Sequence, residues 1–140
     1  MQTELKKSIG FRIGQAANLL NSSFNSELQA FGIAIEQRTT LEIIKYEDNV
    51  NQTKIAQILA KDKTTISRTL KALETKGYIS KSNIDKRTNL IKLTPKGEEV
   101  LEATSKLVKD FRAKLAACMS EEEIDQFFNS LDKLTNTINE

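Results

Sequence analysis

Apolar residues recur every three or four positions in the first 28 residues, which predicts a long amphipathic helix. The stripe consists of Ile9, Ile13, Ala16, Leu20, Phe24 and Leu28. Two further stripes near the other end predict two more long helices. The first contains Val100, Leu107, Phe111, Leu115 and Cys118, and the second contains Ile124, Phe127, Leu131, Leu134 and Ile138. Both ends of the chain are therefore expected to be helical, with apolar faces that must be buried against something.

Residues that commonly begin helices support the last two predictions. Ser120 followed by Glu123 is a capping box, and Thr94-Pro95 supplies a hydroxyl cap and a proline at the first helical position. Three acidic residues, 121–123, then fall in the first turn of the last helix, where carboxylates oppose the helix dipole. We prefer that interpretation to a metal or acid–base site.

Shorter elements are predicted between these ends. The stretches 39–47 ("TTLEIIKYE") and 53–60 ("TKIAQILA") each match a short helix with its aliphatic residues inward. A third helix is predicted to begin after an N-cap at Asp62 and to stop at Gly77. Two short helices with a tight connection form a helix-turn-helix.

The second of these two helices has the pattern of a DNA recognition helix. Its apolar face contains Ile66, Leu70 and Leu73, and its N-terminal half normally meets base edges. The polar residues on its other faces are the candidate DNA-binding residues: Lys63, Thr64, Thr65, Ser67, Arg68 and Lys71.

After Gly77, residues 78–83 ("YISKSN") and 89–94 ("NLIKLT") match two strands joined by a turn, with Ile79, Ile91 and Leu93 facing inward. This hairpin would form a wing with Lys86 and Arg87 at an exposed tip, adding both to the candidate DNA-binding residues. Arg87 could reach the minor groove or a phosphate. Asp85 could orient that arginine or simply form the turn, and both interpretations stay open.

Charge is divided unevenly along the chain. Residues 53–96 hold 11 Lys and Arg against 3 Asp and Glu, whereas residues 1–52 hold 5 against 6 and residues 97–140 hold 5 against 10. A basic segment between acidic flanks is typical of a polyanion-binding surface carried on a separate scaffold. The alternative is an ordinary solvated lysine-rich surface.

The amino-acid inventory disfavours an enzyme. The chain has no histidine and one cysteine, which removes the commonest general base and metal ligand and excludes an internal disulfide. Its five glycines are scattered, so no phosphate-binding loop is predicted. We expect no catalytic residues, no metal and no cofactor. With no apolar run of about 18 residues and no signal-peptide pattern, a cytoplasmic location away from membranes is expected.

The chain resembles the multiple-antibiotic-resistance regulator (MarR) family of winged-helix transcription factors. The resemblance rests on residues 51–79 ("NQTKIAQILAKDKTTISRTLKALETKGYI"), similar to the family's helix-turn-helix, and on residues 85–97 ("DKRTNLIKLTPKG"), similar to its wing signature. It implies a homodimer, held by the first and last helices, that binds a pseudo-palindromic operator on double-stranded DNA. It also implies a repressor, usually released by a small-molecule effector or by thiol oxidation.

The expected fold is mainly α with a small β-hairpin wing, a winged helix-turn-helix on a helical dimerisation scaffold. Within one domain, residues 39–96 would form the DNA-binding lobe, and residues 1–34 with 97–140 the dimerisation lobe. The candidate dimerisation residues are Ile9, Ile13, Phe111, Leu115, Phe127, Leu131, Leu134 and Ile138. Cys118 shares that apolar face and is expected to be buried.

Two alternatives to a sequence-specific dimeric repressor remain at this point. One is a winged-helix module that binds nucleic acid with little sequence preference or docks a protein. The other is a small-molecule-binding or catalytic protein whose basic centre binds an anionic substrate. Long apolar stripes at both ends favour the dimeric regulator, because a two-fold scaffold matches a palindromic site.

Overall fold

The computed structural model describes residues 3–85 and 88–139, with side chains left undescribed at 83–85 and 88–89. Helices and one hairpin follow each other along the chain. They are α1 (Thr3–Lys7), α2 (Ile9–Leu28), a 3₁₀ turn (Gln29–Phe31), α3 (Ile35–Tyr46), α4 (Gln52–Leu59), α5 (Lys63–Thr75), β1 (Ile79–Asp85), β2 (Thr88–Leu93), α6 (Pro95–Ala103), α7 (Ser105–Ala116) and α8 (Glu121–Ile138). The predicted fold class, mainly α with a β-hairpin wing, is confirmed.

The chain packs as two compact units and passes from the first to the second between Ser105 and Lys106. In the part of the chain that the structure describes, no helix is long and apolar enough to span a bilayer. The division into a DNA-binding lobe and a dimerisation lobe remains a prediction.

The core of the first unit brings together residues from the helices around the helix-turn-helix and from the hairpin. Its most deeply buried apolar side chains are Leu28, Leu41, Ile55, Ile66, Leu70 and Leu73. The hairpin adds Ile79 and Ile91, as predicted, whereas Leu93 is only half-buried. Ile91 N also donates to Val50 O at 2.9 Å, which joins β2 to the loop before α4.

The first helix is interrupted near its start. Ser8 has an extended backbone and its Oγ accepts from Phe11 N at 3.2 Å, so α2 begins at Ile9 with a serine cap. Of the predicted apolar stripe, Phe24 and Leu28 are buried in this chain. Ile9 and Ile13 are exposed.

α3 begins at Ile35, four residues before the predicted start. Ala34 has no capping side chain, and Gln37 Oε1 accepts from Ala34 N at 3.1 Å instead. Asn25 on α2 accepts from Ile35 N through its Oδ1 at 2.6 Å. A distant residue thus satisfies a main-chain donor at this helix start, which a local pattern cannot show.

Two sequence predictions are wrong at the C-terminal end of the chain. The predicted single helix from Val100 to Cys118 is divided at Thr104 into α6 and α7. α7 then ends at Ala116, so Cys118 lies in the following turn with its Sγ 3.0 Å from Leu115 O, and it is exposed in this chain, not buried. The capping box that begins α8 is confirmed, with Glu123 N donating to Ser120 Oγ at 3.1 Å.

Candidate nucleic-acid interface

The connection between α4 and α5 is a tight turn that local chemistry specifies. Ala60 takes left-handed backbone angles (φ 53°, ψ 44°), and Lys61 N donates to Ala56 O at 3.0 Å to close the end of α4. The Gln52 side chain donates to Lys63 O at 3.0 Å, which ties the start of α4 to the start of α5. These bonds fix the helix-turn-helix that the sequence predicted.

Asp62 is the N-cap of α5, as predicted. Its Oδ1 accepts from Thr65 N at 2.7 Å. The main-chain N–H of Thr65, then its side chain, and the nearby charge of Arg68 hold the pKa of the Asp62 carboxyl below its ordinary value. The carboxylate therefore stays ionised at the positive end of the helix dipole, where it stabilises the first turn of α5.

α5 separates its apolar and polar residues as the sequence predicted. Ile66 and Leu70 are 1% exposed and Leu73 is fully buried, which fixes the rotation of the helix. The structure brings the six candidate residues of α5 together on its other faces. Lys63, Thr64, Ser67, Arg68 and Lys71 are exposed, and Thr65 is half-buried. Unlike its neighbours on this face, Thr65 also bonds to the Asp62 carboxylate, so it contributes to the cap of α5.

Several lysines of the basic segment are engaged within the protein. Lys54 Nζ donates to Asp48 O at 2.6 Å, and Lys61 Nζ lies 3.0 Å from Glu36 Oε1. Lys76 Nζ donates to Gly32 O and to Gln37 Oε1. By contrast, the basic residues of α5, namely Lys63, Arg68 and Lys71, form no ion pair among the residues that the structure describes. The positive charge available to a polyanion therefore includes the exposed face of α5.

A close contact joins the end of α5 to the hairpin and α6. Gly77 has a φ of 79°, which favours glycine, and Tyr78 N donates back to Leu73 O at 3.0 Å. The Thr94 hydroxyl donates to Gly77 O at 2.5 Å and accepts from Gly97 N at 3.1 Å. Gly97 is the final glycine of the wing signature, and a Cβ there would overlap the Tyr78 carbonyl oxygen.

The hairpin pairs β1 and β2 antiparallel, with Ile79 opposite Leu93 and Lys81 opposite Ile91. The register shifts between Ser82 and Asp85, so the outer part of the hairpin is irregular. Lys86 and Arg87, the predicted wing-tip contacts, lie outside the described residues, as does the Asp85 side chain. Lys92 was not among the predicted site residues, and it is exposed on β2. Its alternation with Ile91 was the available signal.

The positions of the Cys, Asp and Glu side chains show whether they could hold a metal ion. Among residues 3–85 and 88–139, no group of three Cys, Asp or Glu side chains is placed to hold a metal ion.

Comparisons with known proteins agree with this geometry. The profile of the MarR family matches residues 33–88. A MarR/EmrR family transcriptional regulator from Acinetobacter sp. ADP1 is 34% identical, with a TM-score of 0.84 over 91% of this chain and 92% of that one. MepR from S. aureus, solved as a DNA complex, is 25% identical, with a TM-score of 0.86 over 98% of this chain and 99% of MepR. The uncharacterised HTH-type transcriptional regulator YwoH of Bacillus subtilis (strain 168) is 28% identical over 83% of this chain and 85% of its own length.

These relatives are transcription regulators and not enzymes, and the resemblance extends well beyond the helix-turn-helix to nearly the whole chain. In helix-turn-helix regulators the second helix of the motif is the one that enters the major groove. The chain therefore belongs to the MarR family and is a winged helix-turn-helix transcriptional regulator that binds DNA.

Proposed function

We propose that this regulator is a homodimeric repressor that binds a pseudo-palindromic operator and leaves it when a small-molecule effector binds. The observation that carries the proposal is the exposed basic and hydroxylated face of α5 at the capped end of the helix. One α5 from each protomer would enter the major groove of one half-site, and the two half-sites would lie about one helical turn apart.

The side chains of α5 suit different parts of such a site. Arg68 is exposed in the N-terminal half of the helix, and a guanidinium can donate two hydrogen bonds to a guanine edge. Lys63 and Lys71 suit phosphates, since an ammonium on a flexible stem binds as a point charge. Thr64, Thr65 and Ser67 can bond to bases or phosphates through their hydroxyls. We therefore expect Arg68 to contribute most of the sequence preference within α5.

We also propose that Lys86 and Arg87 of the wing contact DNA. The irregular register beyond Ser82 marks where the hairpin departs from a simple ladder. A contact from Arg87 to phosphate would strengthen binding to all DNA, whereas insertion into the minor groove would favour AT-rich flanks.

Exposed apolar residues on two helices support dimerisation. On α2, Ile9 is 59% exposed and Ile13 is 42% exposed. On α8, Phe127 is 50% exposed and Ile138 is 79% exposed. The other candidate dimerisation residues, Phe111, Leu115, Leu131 and Leu134, are half-buried in this chain. Large exposed apolar side chains in such number are typical of a protein–protein interface. A two-fold dimer formed by α2, α7 and α8 would match the symmetry of a palindromic operator.

An effector site is proposed in a pocket of about 450 Å³ within the first unit. The pocket is lined by Ser22, Asn25, Ser26, Gln29, Gly32, Ile33, Ala34, Gln37 and Lys76. Lys76 is the C-cap residue of α5, and its Nζ is held in the pocket by Gly32 O at 2.8 Å and Gln37 Oε1 at 2.9 Å. A ligand that competes for these bonds would act directly on the end of the recognition helix.

Selection of bound fragments from a random double-stranded DNA pool tests the proposal. A recovered site with two related half-sites in inverted orientation, together with a dimer by light scattering, is the expected outcome. Fragments without a shared sequence would favour the alternative of a winged-helix module with low specificity. A small-molecule screen for release from the selected site, repeated on Lys76→Ala, then tests the effector site. Release that is unchanged in Lys76→Ala would place the effector elsewhere.

A further inference from the structure

A buried arginine contacts the point where α6 ends and α7 begins. Arg38, on α3, is 5% exposed. Its Nη1 pairs with Glu42 Oε1 at 2.5 Å, its Nε donates to Thr104 Oγ1 at 3.1 Å, and its Nη2 donates to Leu101 O at 3.4 Å. The guanidinium therefore bonds both to its own helix and to the end of α6.

The break between α6 and α7 is satisfied by side chains. The last main-chain bond of α6 runs from Thr104 N to Val100 O, and Thr104 has backbone angles of −95° and −1°. The fully buried Thr104 hydroxyl donates to Val100 O at 2.8 Å, and Ser105 Oγ donates to Glu102 O at 2.8 Å. The next helical turn would use Leu101 O and Glu102 O as acceptors. Leu101 O instead lies 3.4 Å from Arg38 Nη2 and 3.2 Å from the Thr104 hydroxyl, and Glu102 O accepts from Ser105 Oγ.

The chemistry of this position argues for a specific role. An apolar side chain on α3 could be buried at lower cost than a charged one, which must be paired to be tolerated. The guanidinium provides several donors in a fixed plane, so it can hold a hydroxyl, a carbonyl and a carboxylate at once, which lysine cannot do. The chain enters its second compact unit between Ser105 and Lys106, immediately after the break.

We propose that Arg38 is a positioning residue for DNA binding, because it maintains the break at Thr104 between α6 and α7. This inference rests on the proposed dimer with two half-sites. Loss of the guanidinium removes one of the two side-chain donors at Leu101 O, the other being the Thr104 hydroxyl at 3.2 Å. We expect Ser105 N to take the place of Arg38 Nη2 there, so that α6 continues into α7 as one helix. The spacing of half-sites that the dimer prefers then changes, while the face of α5 that contacts each half-site does not.

The first test examines the break itself without DNA. Amide hydrogen exchange and backbone carbon chemical shifts at Thr104 and Ser105 are compared among wild type, Arg38→Met, Thr104→Ala and Thr104→Ser. The Ser105 amide should exchange at least about tenfold more slowly in Arg38→Met and Thr104→Ala, with helical shifts through Thr104, and Thr104→Ser should behave like wild type. Thr137→Ala is a matched control, because Thr137 makes a similar bond to Lys133 O on the exposed surface of α8.

The second test measures binding to the selected operator with its spacer changed by one base pair, which moves a half-site by about 3.4 Å and rotates it by about 35°. Wild type and Thr137→Ala should lose affinity by about tenfold or more, whereas Arg38→Met and Thr104→Ala should lose less than about threefold or prefer another spacer. All should bind an isolated half-site equally.

The outcomes separate the possible failures. A lower melting temperature with unchanged Ser105 exchange and unchanged spacer preference would overturn the proposal and leave Arg38 a structural residue only. If wild type selects no paired half-sites, the dimeric function fails. In that case the exchange of the Ser105 amide alone still shows whether Arg38 maintains the break, and no change there would overturn that part as well.

Discussion

Replacement of Gly97 by alanine should destabilise the protein strongly, because the backbone of α6 passes directly over the Tyr78 carbonyl. A Cβ at Gly97 would lie 3.0 Å from the Tyr78 carbonyl carbon and 3.3 Å from its Cα, and it would overlap the carbonyl oxygen. Ordinary carbon contacts lie at about 3.5–4.0 Å. Both clashing groups belong to the main chain, so rotation of a side chain cannot relieve the overlap.

The loss of stability in Gly97→Ala can be estimated from the main-chain groups that the added Cβ would displace. The Tyr78 oxygen accepts from Thr94 N at 3.0 Å, and Gly97 N donates to the Thr94 hydroxyl at 3.1 Å. Shifting the start of α6 by about 1 Å to restore normal contacts would strain or break both hydrogen bonds. Overpacking costs about 1–3 kcal/mol and each lost bond about 1 kcal/mol, which together exceed the gain of about 0.5–1 kcal/mol from alanine in a helix. We expect a loss of about 3 kcal/mol.

Urea denaturation of wild type, Gly97→Ala and Gly14→Ala provides the assay. Gly14 lies in α2 with nothing within 4 Å of an added Cβ in this chain, so alanine there should be neutral or slightly stabilising. A loss of about 3 kcal/mol in Gly97→Ala corresponds to a melting temperature lower by roughly 10 °C. Stability of Gly97→Ala within about 0.5 kcal/mol of wild type would show that the close approach to Tyr78 is not a constraint.

Further predictions concern the cap, the core, the wing and the interface. Because the pKa of Asp62 is lowered in the folded state, its contribution to stability is present above the unfolded pKa and is lost as the pH falls through the folded pKa. The stability difference between wild type and Asp62→Ala should therefore shrink below about pH 4, as equilibrium unfolding from pH 7 to 3 can show. Leu73→Ala removes a fully buried side chain of α5 and should cost about 2–5 kcal/mol in urea denaturation. Arg87→Ala should lower the slope of log affinity against log salt by about one unit if the contact is to phosphate, and no change in affinity on any DNA would remove the wing tip from the interface. Truncation after Met119 deletes α8 and should give monomer or aggregate in light scattering, and a truncated monomer that binds the full operator tightly would contradict the role of α8.

The sequence was most informative where one residue determines a local feature. Asp62, Gly77, Thr94 and Ser120 cap or end helices where predicted, because each acts on main-chain groups within a few positions of itself. The outward face of α5 was predictable for a similar reason, since three buried aliphatic residues fix its rotation.

Features that depend on distant residues could not be predicted in this way. The apolar period gives no sign of the division at Thr104, and the Arg38 side chain that donates to the Thr104 hydroxyl comes from 66 positions earlier. Cys118 follows the same period but lies beyond the end of α7. The start of α3 likewise depends on Asn25. Gly97 could be identified from the sequence as part of the wing signature. The reason that a glycine is needed there, the close approach of α6 to Tyr78, is a tertiary contact.

The central claim, that α5 gives this regulator its sequence preference, is tested most directly with Arg68→Ala on the selected operator. Affinity is measured for that operator and for variants substituted at each base pair of a half-site, with Lys109→Ala on α7 as a control that removes an exposed positive charge elsewhere. Arg68→Ala should lose about 1–3 kcal/mol on the operator and should tolerate substitution at one or two base pairs per half-site, while non-specific binding changes less. Wild-type affinity and an unchanged substitution profile in Arg68→Ala would contradict the assignment of Arg68 to a base contact.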